Sequence, residues 1–181
     1  MSTPPERIVE SRHIYDGRIV RFRVDTVELP NGRTAIREIV GTPGAVAIIP
    51  LTKDGQLRMV RQYRSAIGDF LLELPAGTLQ PGESPQEAAP RELAEETGDR
   101  ADHWQFLSSF HTMPGVCDEI IHLFLATNLT PGGTNRDPDE DIEVVTLPLH
   151  KALEMASTGH IRDAKTIVGL FMAQVVTSSR S

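Results

Sequence analysis

The chain has 181 residues, 39% of them hydrophobic, enough for one well-filled core and no more than one domain's worth. A formal net charge of −7 argues against a nucleic-acid partner, because a phosphate backbone demands a basic face. The single cysteine, Cys117, excludes an intramolecular disulfide framework and suits a reducing compartment.

Met1 to Glu10 carries no apolar signal core. Apolar residues then alternate with polar ones through Ile19, Phe22, Val24, Val27 and Leu29, pause at the turn Pro30-Asn31-Gly32, and resume over Ile36 to Val40, which predicts an antiparallel piece. Ala45 to Leu51 is a continuous apolar run suited to a buried strand. Strands are expected at Leu57 to Gln62, after the Asp54-Gly55 turn, and at Phe70 to Leu74. A helix follows over Pro85 to Thr97, then strands at Trp104 to Phe110, Ile120 to Ala126 and Ile142 to Leu147. Leu149 to Met155 and Ala164 to Val176 read as two closing helices. The apolar run Ile167 to Val176 is too short to span a bilayer and contains Gln174. The expectation is a cytoplasmic α/β protein with a mixed sheet between helices, divided into a β extension over 1–42 and a main domain over 43–181, with no membrane or nucleic-acid partner.

The first helix is the most informative segment. Ser84-Pro85-Gln86-Glu87 spells a capping box with proline at the first helical position, and Gly98 suits the left-handed residue beyond the last turn. Ala88, Ala89, Leu93 and Ala94 supply its apolar contacts. Pro90 stands mid-helix and removes the bond to the Gln86 carbonyl, so a local kink or one lost hydrogen bond is expected. Glu92, Glu95 and Glu96 share a face at i, i+3 and i+4, where like charges cost about 0.2–0.5 kcal/mol per pair. They also crowd the negative end of the helix dipole. Something positive must sit among them, and hard oxygen ligands without a nearby His or Cys point to Mg²⁺ or Mn²⁺. The alternative is a solvated acidic face paired with arginines.

Gly77, five residues, Glu83, seven residues, then Arg91-Glu92-Leu93-Ala94-Glu95-Glu96-Thr97-Gly98 closely resembles the Nudix box of hydrolases that cleave nucleoside diphosphates linked to another moiety. Asp99 departs from the pattern, which has an aliphatic residue there, so looser packing is expected after the helix. Arg61-Gln-Tyr-Arg64, Leu72-Glu-Leu-Pro-Ala-Gly77, Met113-Pro-Gly-Val-Cys-Asp-Glu119 and Asp139-Glu140-Asp141-Ile-Glu143 look like the ADP-ribose pyrophosphatase branch. Pro114, sixteen residues after Gly98, is the discriminating detail. The resemblance implies the Nudix α/β/α sandwich and a homodimer whose N-terminal strands cross between subunits. It also implies a Mg²⁺-dependent site with two or more ions that converts ADP-ribose to AMP and ribose 5-phosphate.

By resemblance, Glu92 and Glu96 are the main metal ligands, Glu95 joins one ion and the Ala76 carbonyl completes a shell. The resemblance also places a proton-accepting base in a later loop, at Glu140 with Glu143 in reserve. The cluster Asp137, Asp139, Glu140, Asp141 and Glu143 could equally be a charged turn. Arg91 is read as orienting a carboxylate, Glu73 or Glu95. Glu83 is either a dipole partner or a group behind the metal ligands. Arg64 is a candidate phosphate fork, since guanidinium matches phosphate bidentately, and Arg37 either reaches the substrate or pairs on the surface. Glu119 is expected to accept hydrogen bonds from the terminal ribose, with Pro114 and Gly115 shaping that wall. Phe22 is a core or edge residue before it is a stacking surface for adenine. His13, His103, His111, His122, His150 and His160 lack metal-ligand spacing, so zinc is not indicated. Cys117 has no basic neighbour in sequence to make it a nucleophile. Two rivals remain: the same hydrolysis on another nucleoside diphosphate sugar or dinucleotide, and a Nudix-like module that senses a nucleotide without cleaving it.

Overall fold

The computed structural model describes residues 5–133 and 142–178. The chain separates into two compact units, Met1–Gly44 with His111–Ile120, and Ala45–Phe110 with Ile121–Ser181.

The first unit is a three-stranded antiparallel sheet of β1 (Arg7–Asp16), β2 (Arg21–Glu28) and β3 (Thr34–Gly41), with β2 central. The expected turn joins β2 to β3: Gly32 takes φ 76°, and the Asn31 side chain accepts the Arg33 N–H at 3.1 Å. Both are what a tight turn asks of Gly and Asn. In the same unit, the Val40 N–H donates to the Val116 carbonyl and the Thr42 N–H to the Asp118 carboxylate.

The second unit is built on β4 (Ala45–Pro50), whose six residues are all buried. β4 pairs antiparallel with β7 (Ala76–Thr78) and parallel with β9 (Ile120–Pro131), in a four-stranded sheet completed by β8 (Asp99–His111). A separate sheet joins β5 (Gln56–Arg64) to β6 (Asp69–Glu73) and β10 (Ile142–Pro148). The single mixed sheet expected from sequence is therefore divided in two here, with a third sheet in the first unit.

Strand alternation explains the layering, because successive residues of β4 point to opposite faces. Val46 and Ile48, with Phe124 and Ala126 of β9, pack on Ala88, Ala89 and Leu93 of α1 (Pro85–Thr97). Ala47 and Ile49, with Leu123 and Leu125, pack on Ala152 of α2 (Leu149–Ser157) and on Leu170 and Ala173 of α3 (Ala164–Ser178). Helices thus cover both faces, the α/β/α sandwich. Gly169 lets α3 come close, for a Cβ there would stand 2.4 Å from Leu74 Cδ1.

The α1 bounds match the sequence reading. Ser84 and Glu87 form the capping box, Pro85 opens the helix, and Gly98 closes it at φ 72°. Pro90 leaves the helix unbroken, and both Pro90 and Gln86 are exposed, so water can satisfy the carbonyl that lost its partner. Asp99 overturns the expectation of loose packing. It is 7% exposed, and Arg58 Nε of β5 donates to its carboxylate at 2.7 Å, fastening the chain after α1.

Candidate active site

The acidic face of α1 is shaped by the helix's register, by the short strand β7 and by Glu83 in the loop between them. Glu92 and Glu96, one turn apart, are 9% and 3% exposed, an unusual burial for carboxylates. The Glu96 Oε2 accepts the Ala76 N–H at 3.0 Å. Glu92 lies flat against Gly77: a Cβ on that glycine would fall 1.9–2.2 Å from the Glu92 carboxylate. No other residue fits at 77 without expelling Glu92. Two carboxylates and the Ala76-Gly77 main chain therefore meet at one place.

Arg91 holds this face together. Its Nε and Nη2 clasp Glu83 at 2.7 and 2.8 Å, while Nη1 donates to Glu92 at 2.7 Å and Glu95 at 2.9 Å. The guanidinium pulls the Glu83 carboxyl down to a pKa of about 2, against the lesser opposing effect of burial. Arg91 itself is held above its ordinary range, first by Glu83 and then, against desolvation, by Glu92 and Glu95. Of the two partners expected for Arg91, Glu95 is found and Glu73 is not. Glu83 is a tether for Arg91.

Glu73 belongs instead to Arg64. Arg64 Nε and Nη2 each donate at 2.7 Å to the two oxygens of Glu73, whose side chain is 1% exposed, and Lys165 Nζ bonds the same carboxylate. Burial would raise the Glu73 pKa, but the Arg64 bonds and the Lys165 charge outweigh it and leave the group below its ordinary value. Arg64 thus forms a bidentate fork with a carboxylate of its own chain, and its Nη1 edge takes no described partner.

The donor set fits a hard divalent cation. Mg²⁺ characteristically takes one or two carboxylates and completes its shell with other oxygens, and Glu92, Glu96 and the adjoining main chain supply that combination. Among the described residues no three His, Cys, Asp or Glu side chains are gathered as a ready-made cluster. Glu95 stands apart, joined to Glu92 through Arg91.

Residues 41–168 match the NUDIX domain and residues 6–40 the Nucleoside diphosphate sugar hydrolase N-terminal domain. The chain belongs to the Nudix family. A Bacillus methanolicus protein called methanol dehydrogenase activator is 42% identical over 94% of this chain and 93% of its own length. An ADP-ribose pyrophosphatase of Bacillus subtilis is 39% identical over 97% of this chain and 96% of its own. The crystal structure of an ADP compounds hydrolase superposes with a TM-score of 0.89 at 25% identity, covering 100% of this chain and 98% of that one. Nudix hydrolases act with divalent metal ions, in keeping with the donors found here.

Within this Nudix chain, Ala76, Arg64, Arg91, Glu92, Glu95 and Glu96 all lie in the second unit. Arg37, Pro114, Gly115 and Glu119 lie in the first. Arg37, on β3, is ion-paired with Glu6. Glu119 accepts from Thr112 Oγ1 at 2.7 Å, and Pro114 and Gly115 are exposed in the preceding turn. A cavity of about 170 Å³ in this unit, lined by His13, Arg21, Arg23, Gly41, Thr42 and Asp118, is smaller than the pockets that enclose ligands of nucleotide size. Glu140 lies outside the described residues. Glu143, its reserve, is exposed on β10 and pairs with Arg61 at 3.3 Å. Phe22 is half-buried in β2, opposite Tyr15 and Val40. Cys117 is buried. The His122 Nδ1 shares a hydrogen bond with Ser109.

Sequence reasoning missed Lys165, Asp163 and Thr166. Lys165 and Thr166 reach Glu73 and Leu74, 92 residues away, so no local spacing announces them, whereas Asp163 bonds its own neighbours Lys165 and Thr166 as the cap of α3. The need for glycine at 77 was legible only as a motif position, and its cause is the approach of Glu92.

Proposed function

We propose that this chain hydrolyses the diphosphate of ADP-ribose to AMP and ribose 5-phosphate, using Mg²⁺, or Mn²⁺ in its place, with two or more ions per site. The observation that carries the reading is the burial of Glu92 against Gly77 beside Glu96, which gathers hard oxygen donors at one place on a helix face whose remaining acid, Glu95, is already paired with Arg91. The likeness to a Bacillus subtilis ADP-ribose pyrophosphatase over nearly all of both chains supports the choice of substrate.

Glu92 and Glu96 hold the cations, with Glu95 and the Ala76 carbonyl as further donors. Bound dications supply Lewis acidity for water and screening for phosphoryl charge. The protein's own groups do the rest. Arg91 keeps Glu92 and Glu95 in register through its grip on Glu83. Arg64 offers its remaining N–H edge to a phosphoryl oxygen, a match that guanidinium makes well. Glu140 accepts the proton of the attacking water, with Glu143 as the alternative base. Glu119 accepts from the ribose hydroxyls beside Pro114 and Gly115, and Arg37 reaches the nucleotide from the N-terminal strands of a homodimer, with the break between the two parts near residue 42. The reaction suits a cytoplasmic enzyme acting on a small nucleotide sugar.

The match of residues 6–40 to a domain of nucleoside diphosphate sugar hydrolases favours one second reading, the same bond cleavage on a different nucleoside diphosphate sugar. Product analysis over a panel of such compounds separates the two. ADP-ribose is expected to be the best substrate with AMP as product, and a preference for another compound would overturn the assignment. Glu92→Gln and Glu96→Gln should each abolish turnover in a folded protein, while Glu140→Gln should slow it and spare ligand binding. Unchanged rates would remove the corresponding role.

A further inference from the structure

Four charges of alternating sign meet between the first turn of α3 and the end of β5. Asp163 caps α3, its Oδ2 accepting the Thr166 N–H at 2.9 Å and the Lys165 Nζ at 3.0 Å. Lys165 Nζ also bonds Glu73, and Glu73 is clasped by Arg64. The side chains of Lys165 and Glu73 are 13% and 1% exposed, whereas that of Arg64 is 40% exposed. The same turn grips the main chain, because Thr166 Oγ1 accepts the Leu74 N–H at 2.8 Å, two residues before Ala76.

A buried carboxylate facing one guanidinium would neutralise it and hold it flat, leaving little positive charge for a second anion. Lys165 changes that balance by sharing the Glu73 oxygen that Arg64 Nη2 also uses. The Arg64 fork is thereby oriented by Glu73 without being fully spent on it, and its Nη1 edge takes no described partner. Glu96 acts on Arg64 through space, so this charge is felt at the acidic face of α1.

We propose that Lys165 is a positioning residue for substrate binding: by dividing the charge of Glu73 it keeps the Arg64 guanidinium both fixed in direction and positive towards a diphosphate. The inference rests on the proposed hydrolase activity and adds a residue that touches no substrate. It also has a sign. Removing the Lys165 charge makes the cluster negative and repels phosphate, whereas removing the Asp163 charge makes it positive.

The test compares Lys165→Met, Lys165→Gln, Lys165→Arg and Asp163→Asn in the full chain. Kinetics are read with Mg²⁺ on whichever nucleoside diphosphate the wild type turns over fastest, in a panel that includes ADP-ribose. A wrong substrate assignment then appears as a different best compound and leaves the Lys165 comparison readable. Lys165→Met should raise KM about tenfold with kcat within about twofold, the pattern of lost uniform binding. Lys165→Gln keeps a donor for Glu73 without the charge and gives the same reading should the Met variant not fold. Lys165→Arg should restore KM, and Asp163→Asn, which still caps the helix, should not raise it. A fall in thermal midpoint with KM unchanged in the neutral variants would reduce Lys165 to a structural ion pair and overturn the proposal. A rise in KM for Asp163→Asn equal to that of Lys165→Met would do the same, and a wild type that cleaves no compound of the panel would overturn both readings.

Discussion

Gly77 shows how one missing methyl group decides a site. A Cβ at that position would overlap the Glu92 carboxylate at about 2 Å, so Gly77→Ala must displace either the strand or the acid. Because β7 is locked to β4 by the Ala47–Ala76 and Val46–Gly77 pairs, the acid is the part that moves. The expected outcome is a folded protein with weakened cation binding by calorimetry and turnover reduced by about a hundredfold or more, as for lost placement of a catalytic group. Retained cation affinity would contradict the role given to Glu92. Glu83 is a second case, read through pH. Its carboxyl falls from an ordinary 4.5 to about 2 in the fold, so its stabilising contribution is complete above about pH 4.5 and is lost as the pH falls towards about 2. In urea titrations the gap in unfolding free energy between wild type and Glu83→Gln should be widest above pH 4.5 and narrow through that window. A constant gap would argue against the Arg91 clasp as its source.

At the scale of elements, α1 was written almost completely in its sequence, because capping box, proline start and glycine stop are local signals. β4 was equally plain as an unbroken apolar run. β1 was not, since all ten of its residues are exposed and no burial alternation marks it. β7 is three residues, Ala-Gly-Thr, too short for any periodicity. The ion pair of Asp99 and Arg58 was also hidden, joining positions 41 apart, yet it changes what the box departure means. Asp99→Ala would leave Arg58 partly buried without its partner and should cost about 2 kcal/mol by denaturant melting, between the values for exposed and buried pairs. The double replacement Arg58→Met with Asp99→Leu should recover most of that loss by apolar packing. If the double variant is less stable than Asp99→Ala, the pair does more than fill space.

For the molecule as a whole, the first unit carries Ile8, Val9, Ile14, Tyr15 and Ile36 exposed, and among the described residues no strand pairs with the outer edge of β1. Such edges and apolar surfaces are usually covered. The proposed homodimer predicts that sedimentation at micromolar concentration gives twice the chain mass and that Ile14→Glu with Ile36→Glu yields a monomer. A wild-type monomer would remove the crossing of N-terminal strands from the reading. No described helix is long and apolar enough to cross a membrane. The architecture was legible as layers, but its division into separate sheets was not, because strand pairing depends on contacts that no window of sequence contains.

Arg91 carries a consequence for assembly. Since its guanidinium already reconciles Glu83, Glu92 and Glu95, the polypeptide brings its own counterion and need not await a metal to finish folding. Chelated wild type should accordingly unfold in one cooperative step, and Arg91→Met should melt below it in chelator; added magnesium raises the melting temperature of both, as any ligand of the folded state does.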